Sequence, residues 1–267
     1  MKHILRPRRL ITPLLLAASC HHAGAAQGTP SASQASGGNA QAQVLIEAYG
    51  DSTTLGISCL DGHCAPIAQN AVAVLQDALR AEYGSRVSVV NLGVGGSMAS
   101  QLRDGTDRPG GLPWAQRLAQ SHARIVTINY GINEVMHNQT PAQFYAAQTE
   151  LVVTARALGI EPVLQTSNPM PDDRLNARLA AMAAMTRRVA AEQHVPLVDQ
   201  YAYISGLPGW KWMMSDGAHP RPTLYRLKAA QDLRVIDPLV QRLGGASAQT
   251  KTSDSSSTFL TVTQGNL

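Results

Sequence analysis

Short apolar runs alternate with longer segments of helical periodicity through the middle of the chain. Residues 44–48 form a brief, mostly apolar run, which predicts a buried strand. The next segment, 65–83, carries its apolar side chains on one helical stripe and ends at Gly84, a residue typical of a helix C-terminus. The same alternation predicts strands at 87–92, 124–130, 160–166 and 196–199, and helices at 112–120, 141–158, 172–194 and 223–243.

A strand followed by a helix, repeated about five times, indicates a parallel sheet with helices on both faces. No internal repeat is visible, so residues 44–243 are predicted to form one α/β domain. In such sheets, ligands bind where the carboxyl ends of the strands meet. Polar blocks that directly follow the strands are therefore candidates for the functional site.

The first 26 residues have the pattern of a secretory signal peptide. Basic residues precede an apolar run at 10–18, and small residues follow it through Ala26. This run is too short to span a membrane permanently, so we expect cleavage near Ala25 or Ala26 and export to the periplasm or the extracellular space. The segment 27–43 is predicted to be a flexible linker, and 244–267 a disordered tail.

Export changes how the three cysteines are interpreted. Cys20 ends a weak lipobox at 15–20, so a lipid anchor at Cys20 is the alternative to plain cleavage. Four residues separate Cys59 from Cys64, and an oxidising compartment favours a disulfide between them over two free thiols. A zinc site is disfavoured because Cys59, His63 and Cys64 lack a fourth ligand and the usual spacing.

The positive charge of the chain belongs to its N-terminal leader. The sequence has 22 Lys and Arg against 18 Asp and Glu, and the four basic residues before residue 10 account for the whole excess. Without the leader the charges balance. No nucleic-acid-binding surface is therefore expected.

Four short blocks, in one order along the chain, contain the groups that serine-based acyl transfer requires. They occupy 49–56, 91–97, 130–134 and 215–220. Ser52 is the candidate nucleophile and His219 the candidate base, and Asp216, three residues before the histidine, would orient that base. Each block alone has an ordinary explanation, such as a helix cap, a glycine turn or a surface histidine. Only the set of four favours catalysis.

This set resembles the SGNH (GDSL) hydrolase superfamily over about residues 44–243. The resemblance implies a flavodoxin-like three-layer α/β/α sandwich with a five-stranded parallel sheet, and it implies neither a metal nor a cofactor. It also implies an oxyanion hole formed by the N–H groups of Ser52 and Gly96 and by the side-chain amide of Asn133. Gly95 is the alternative to Gly96. The chain departs from the family at Glu134, where Asp is usual.

A rival assignment makes Ser97 the nucleophile. Residues 95–99 approximate the G-x-S-x-G elbow that follows a strand in α/β-hydrolases. However, the last glycine is missing, and the chain after Ser97 soon enters Gly- and Pro-containing turns instead of a long helix. The sequence therefore favours Ser52.

The predicted function is that of an exported serine ester hydrolase that acts on a small-molecule or glycan ester, such as a carbohydrate O-acetyl group. Large apolar residues just before Asp216 would either line the substrate site or belong to the core, namely Trp210, Trp212, Met213 and Met214. The alternatives are an O-acyltransferase that uses the same residues on a glycan, a lysophospholipase or thioesterase, and a non-catalytic glycan-binding protein. The sequence predicts no oligomeric state.

Overall fold

The computed structural model describes residues 43–244. The predicted signal peptide (1–26), the linker (27–43) except Gln43, the candidate lipidation site Cys20, and the tail (244–267) except Gly244 lie outside the described residues. In the part of the chain that is described, no helix has the length and apolar character needed to cross a membrane.

Five parallel strands form the central sheet. In chain order, the strands are β1 (Val44–Gly50), β2 (Ile57–Leu60), β3 (His63–Pro66), β4 (Val87–Asn91), β5 (Ile125–Tyr130), β6 (Glu161–Thr166) and β7 (Leu197–Val198). The sheet order is β4-β1-β5-β6-β7, while β2 and β3 form a separate antiparallel hairpin. Because β1 lies between β4 and β5, the winding of the chain reverses beside β1. A crevice for a ligand is expected at the carboxyl end of such a switch point.

Helices cover both faces of this sheet. They are α1 (Ser52–Leu55), α2 (Ala71–Tyr83), α3 (Ala99–Asp104), α4 (Trp114–Ala119), α5 (Ile132–Met136), α6 (Pro141–Ala157), α7 (Asp173–Gln193), α8 (Gln200–Ser205) and α9 (Pro222–Arg242), with 3₁₀ turns at Gly84–Arg86 and Trp210–Met213. Strand β5 is buried along its whole length. Ile125 packs in the cluster of α2 and α9, whereas Val126 and Ile128 pack in the cluster of α3, α4, α6 and α7.

The three-layer α/β architecture with a five-stranded parallel sheet confirms the predicted fold class. The predicted strands and helices match those of the structure to within two residues at each end, with one exception. The reason for the agreement is burial, because central parallel strands and their covering helices carry strong apolar patterns.

The exception is the helix predicted at 65–83, which begins only at Ala71. Ala65 and Pro66 belong to β3, and the Asn70 side chain caps the helix by accepting from the N–H of Ala73 at 3.0 Å. The hairpin and the short helices α1, α3, α5 and α8 were not predicted from the sequence. Elements of four to six residues are too short to display a period.

Strand β1 ends at Gly50, where the backbone packs too closely for any side chain. A Cβ at this position would lie 2.1 Å from Thr54 Oγ1 and 2.6 Å from the carbonyl oxygen of Asn129. The close approach joins the turn after β1 to the neighbouring strand β5. Glycine is therefore required here for space.

We expect Gly50→Ala to lower the free energy of unfolding by about 1–3 kcal/mol, because the new methyl group would displace a backbone carbonyl. Gly95→Ala is the matched control, since a Cβ there would meet nothing within 4 Å, and we expect its effect to stay within about 0.5 kcal/mol. Urea unfolding of both variants measures the difference. Equal stabilities would contradict this account of Gly50.

Candidate active site

Ser52 opens the single helical turn that follows β1. The buried Asp51 carboxylate caps this turn, because its Oδ1 accepts from the N–H and the hydroxyl of Thr53, both at 2.8 Å. Gly56 ends the turn in the left-handed conformation. Burial raises the pKa of Asp51, although the hydrogen bonds from Thr53 oppose this shift. The turn holds Ser52 half-buried at the carboxyl end of a central strand.

The structure brings Ser52, His219 and Asp216 into one hydrogen-bonded chain. His219 Nε2 lies 2.9 Å from Ser52 Oγ, and His219 Nδ1 lies 2.7 Å from Asp216 Oδ2. The other oxygen of Asp216 accepts from the backbone N–H groups of Ala218 at 2.8 Å and His219 at 2.6 Å. A bridge between Met214 and Pro220 closes the turn that carries both side chains.

Electrostatics keep the Asp216 carboxyl ionised. Burial raises its pKa, but hydrogen bonds from the His219 ring and from two backbone N–H groups outweigh burial and hold the pKa below its usual value. An ionised Asp216 can accept from Nδ1 and leave Nε2 to face the serine. The arrangement suits a serine nucleophile activated by a histidine base.

Two candidate oxyanion donors follow β4 and β5, the two strands that flank β1: Gly96 lies in the loop after β4, and Asn133 lies in the first turn of α5. Gly96 is exposed and has a φ of +75°, a conformation that favours glycine. Asn133 is half-buried, and its side-chain amide donates one hydrogen bond to the carbonyl of Ser97 at 3.0 Å. This bond joins α5 to the loop after β4, and it uses one of the two amide hydrogens of Asn133.

The rival nucleophile Ser97 is buried. Its hydroxyl donates to the Val94 carbonyl at 2.8 Å, whereas the ring of His219 faces Ser52. A hydroxyl in that environment is poorly placed to attack a substrate. The geometry therefore favours Ser52 over Ser97.

Glu134 is a buried carboxyl whose contacts sequence reasoning did not identify. Its two oxygens accept from the N–H groups of Ala99 at 2.7 Å and Gly131 at 2.8 Å. Glu134, next to Asn133 on α5, thus joins this helix to the start of α3, just beyond the Gly96 loop. Burial raises its pKa to about 7, against the lowering effect of the hydrogen bonds. One indication of this role was present in the sequence, since Glu134 stands where the family usually has Asp.

A second buried group supports the turn that carries Asp216 and His219. Lys228 on α9 donates to the side-chain oxygen of Asn168 at 3.0 Å, and the Asn168 amide donates to the carbonyl of Ala218 at 3.0 Å. Burial lowers the pKa of Lys228. Its importance could not be read from the sequence, because a lysine on a surface helix is usually solvated.

The predicted disulfide between Cys59 and Cys64 is present across the β2–β3 hairpin. Among the described residues, Cys59, Asp216 and His219 form one group with the donor atoms of a metal site. In the disulfide, however, the Cys59 sulfur offers no thiolate to a metal.

Two tryptophans that precede Asp216 differ in their surroundings. Trp210 packs against the small apolar cluster of Ile204, Met214 and Leu224. Trp212 is 87% exposed. The interpretation as core packing therefore holds for Trp210, whereas Trp212 lies on the surface and is open to a ligand.

The model of the GDSL-like Lipase/Acylhydrolase family matches residues 48–227. A comparison with curated proteins finds no match.

Solved structures share the fold at low identity. An acetylxylan esterase from Geobacillus stearothermophilus superimposes with a TM-score of 0.57 at 20% identity, covering 72% of this chain and 94% of its own. A member of the lipolytic protein G-D-S-L family from Veillonella parvula DSM 2008 gives a TM-score of 0.58 at 17% identity, covering 73% and 98%.

We expect Glu134→Gln to weaken the attachment of α5, which carries Asn133, to the start of α3 beyond the Gly96 loop. The amide would turn an NH₂ group toward one of the two backbone N–H groups, and an unsatisfied buried donor costs about 1–3 kcal/mol. Turnover of an ester substrate should fall because the oxyanion donors are less well placed. Steady-state kinetics with Glu134→Gln and wild type measures this change.

The pH dependence of stability distinguishes the effect of the Glu134 charge from the effect of its hydrogen-bonding geometry. The pKa of Glu134 in the folded protein is about 7, above its ordinary value of 4.5, so folding favours the protonated carboxyl. The wild-type free energy of unfolding therefore gains a contribution as the pH falls from about 7 to 4.5. Glu134→Gln lacks this contribution, so the stability of wild type relative to the variant should rise over that range. A difference that is constant with pH would contradict the shift.

Proposed function

Because the chain belongs to the GDSL-like Lipase/Acylhydrolase family of ester-hydrolysing enzymes, we propose that it forms an acyl-enzyme on Ser52. The observation that carries this proposal is the contact of His219 with Ser52 on one ring nitrogen and with Asp216 on the other, at 2.9 Å and 2.7 Å. Nucleophile, base and orienting group are thus already in hydrogen-bond contact.

The reaction follows from these contacts. Ser52 Oγ attacks the ester carbonyl while His219 Nε2 takes its proton, and Asp216 stabilises the imidazolium that forms. The tetrahedral oxyanion accepts from the N–H groups of Ser52 and Gly96 and from the amide of Asn133, each worth about 10²–10³ in rate. The intermediate collapses to the acyl-enzyme as the imidazolium protonates the leaving alkoxide. Water, deprotonated by His219, then attacks the acyl carbon. The acyl–Oγ bond breaks as the imidazolium returns its proton to Ser52, and the acid is released.

We further propose that the substrate carries short O-acyl groups on a carbohydrate. Trp212 lies four residues before Asp216 and exposes 87% of its surface, and an exposed aromatic face of this kind suits stacking on a sugar ring. The acetylxylan esterase of Geobacillus stearothermophilus has the same fold, which is consistent with this substrate class.

We also propose that the protein is exported. The basic and apolar leader before residue 27 supports this proposal, and so does a disulfide of the kind that persists in oxidising compartments.

Ser52→Ala should reduce kcat for p-nitrophenyl acetate by at least about 1,000-fold, because loss of the nucleophile removes the covalent route. Ser97→Ala should retain most of the activity, since the Ser97 hydroxyl is used in a bond to the Val94 carbonyl. A series of p-nitrophenyl esters from acetyl to dodecanoyl, assayed on both variants and wild type, tests the assignment. Full activity of Ser52→Ala would refute it, and an optimum at long chains would favour the lysophospholipase alternative.

Trp212→Ala tests the carbohydrate substrate. We expect KM for an acetylated xylo-oligosaccharide to rise by about 10-fold, the size of effect expected from losing roughly 1.4 kcal/mol of ring stacking. The kinetics of p-nitrophenyl acetate, which has no sugar, serve as the internal control and should not change. Equal effects on both substrates would argue against stacking. Transfer of acetyl groups to added xylose in preference to water would favour the acyltransferase alternative.

A further inference from the structure

The disulfide of the β2–β3 hairpin lies directly against the Asp216–His219 pair. Cys59 Sγ is 3.0 Å from Asp216 Oδ2, the same oxygen that contacts the histidine ring, and 3.9 Å from His219 Nδ1. As part of a disulfide, this sulfur carries no proton and cannot donate to the carboxylate. It fills one side of Oδ2 without competing for the hydrogen bond from Nδ1.

Hydrogen bonds from side chains to its backbone hold the hairpin beside the turn that carries Asp216 and His219. The Cys59 N–H donates to Ser215 Oγ at 2.9 Å, and the Ser215 hydroxyl donates to the carbonyl of His219 at 2.9 Å. On the other side, the Tyr225 hydroxyl donates to the carbonyl of Ile57 at 2.6 Å. These hydrogen bonds hold the backbone of the hairpin, and the disulfide to Cys64 also fixes the Cys59 side chain.

Asp216 needs such support because it lies on an exposed turn. Its side chain is 34% exposed, against 18% for His219. Three of its contacts, from the N–H groups of Ala218 and His219 and from the His219 ring, come from its own turn. Among the described residues, the Cys59 sulfur contacts the carboxylate from a distant part of the chain.

We propose that Cys59, in its disulfide with Cys64, is a positioning residue for the Asp216–His219 pair. The inference rests on the proposed function and goes beyond it, because it makes an oxidised hairpin part of the working site. A dithiol that reduces the bond supplies two electrons and two protons, so Cys59 and Cys64 become thiols and the dithiol becomes a disulfide. The Cys59 thiol would then donate to Asp216 Oδ2 and compete with His219 Nδ1.

Two single variants separate this role from simple cross-linking. Cys64→Ala leaves a free Cys59 thiol beside Asp216, whereas Cys59→Ala removes the sulfur and leaves the exposed Cys64 on the outer strand. Both lose the same cross-link, so urea unfolding should show similar stabilities. For Cys64→Ala we expect kcat with p-nitrophenyl acetate to fall by about 10-fold at unchanged KM, well below the roughly 10⁴-fold loss that follows removal of the orienting carboxylate. Cys59→Ala should lose less, since it introduces no competing donor.

Zinc serves as a probe of where the free thiol lies. The donor atoms of Cys59, Asp216 and His219 all lie within 4.8 Å of one another, and ligands of a tetrahedral Zn²⁺ are about 3.5 Å apart. We therefore expect micromolar Zn²⁺ to inhibit Cys64→Ala and dithiol-reduced wild type. Oxidised wild type and Cys59→Ala lack the thiolate and should be inhibited far less.

The outcomes distinguish this inference from the proposed function. Unchanged kcat in both variants, or equal inhibition of all forms by Zn²⁺, would overturn the positioning role while leaving a Ser52 esterase intact. Retention of ester hydrolysis in Ser52→Ala would instead overturn the proposed function. A loss of kcat and selective inhibition of Cys64→Ala would support the role of Cys59.

Discussion

The packing of the β1–α1 turn between its two neighbouring strands is the constraint on which the site depends. Gly50 lies against the carbonyl of Asn129 on β5, and a Cβ on Gly93, after β4, would lie 2.3 Å from the backbone nitrogen of Leu55. Because these contacts are so close, the turn can occupy only one position relative to the two strands. The segments that follow β4 and β5 are thereby brought to the same edge of the sheet as Ser52, where the proposed mechanism needs an oxyanion hole.

Buried polar groups extend this constraint outward. Glu134 connects α5, which carries Asn133, to the start of α3, and Lys228 acts through Asn168 on the carbonyl of Ala218. A charged group is costly to bury, and its hydrogen bonds only partly offset the cost. Glu134 accepts directly from backbone N–H groups, and Lys228 reaches a backbone carbonyl through the Asn168 amide. Their effect is therefore to set loop positions, which is consistent with a site that must be preorganised.

The turn of Asp216 and His219 has a second support besides Lys228 and Asn168. The turn lies at the surface. The hairpin of Cys59 and Cys64, which is distant in the sequence, packs against it. Glu134 thus joins the segments that carry Gly96 and Asn133, whereas the Asp216–His219 turn is bonded both to Asn168 and to the cross-linked hairpin. These contacts define the orientation of His219, although the turn that carries it lies at the surface.

The sequence by itself determined the order of the layers and the chemical candidates. Apolar strands of the type seen in β5 and long amphipathic helices are local patterns, and Ser52, Asp216 and His219 stand in short blocks that can be recognised as an ordered set. The order of those blocks also led to the correct family.

Only the tertiary structure decided which groups meet. Glu134 follows Asn133 in the sequence, but its second partner, Ala99, is 35 residues away. Cys59 and Asp216 are 157 residues apart, and nothing in either segment encodes their contact. The short hairpin and one-turn helices were likewise not predictable, because their conformations depend on packing against the sheet. Local patterns reflect local energies, whereas contacts between distant loops arise only when the whole sheet has brought the ends of its strands together.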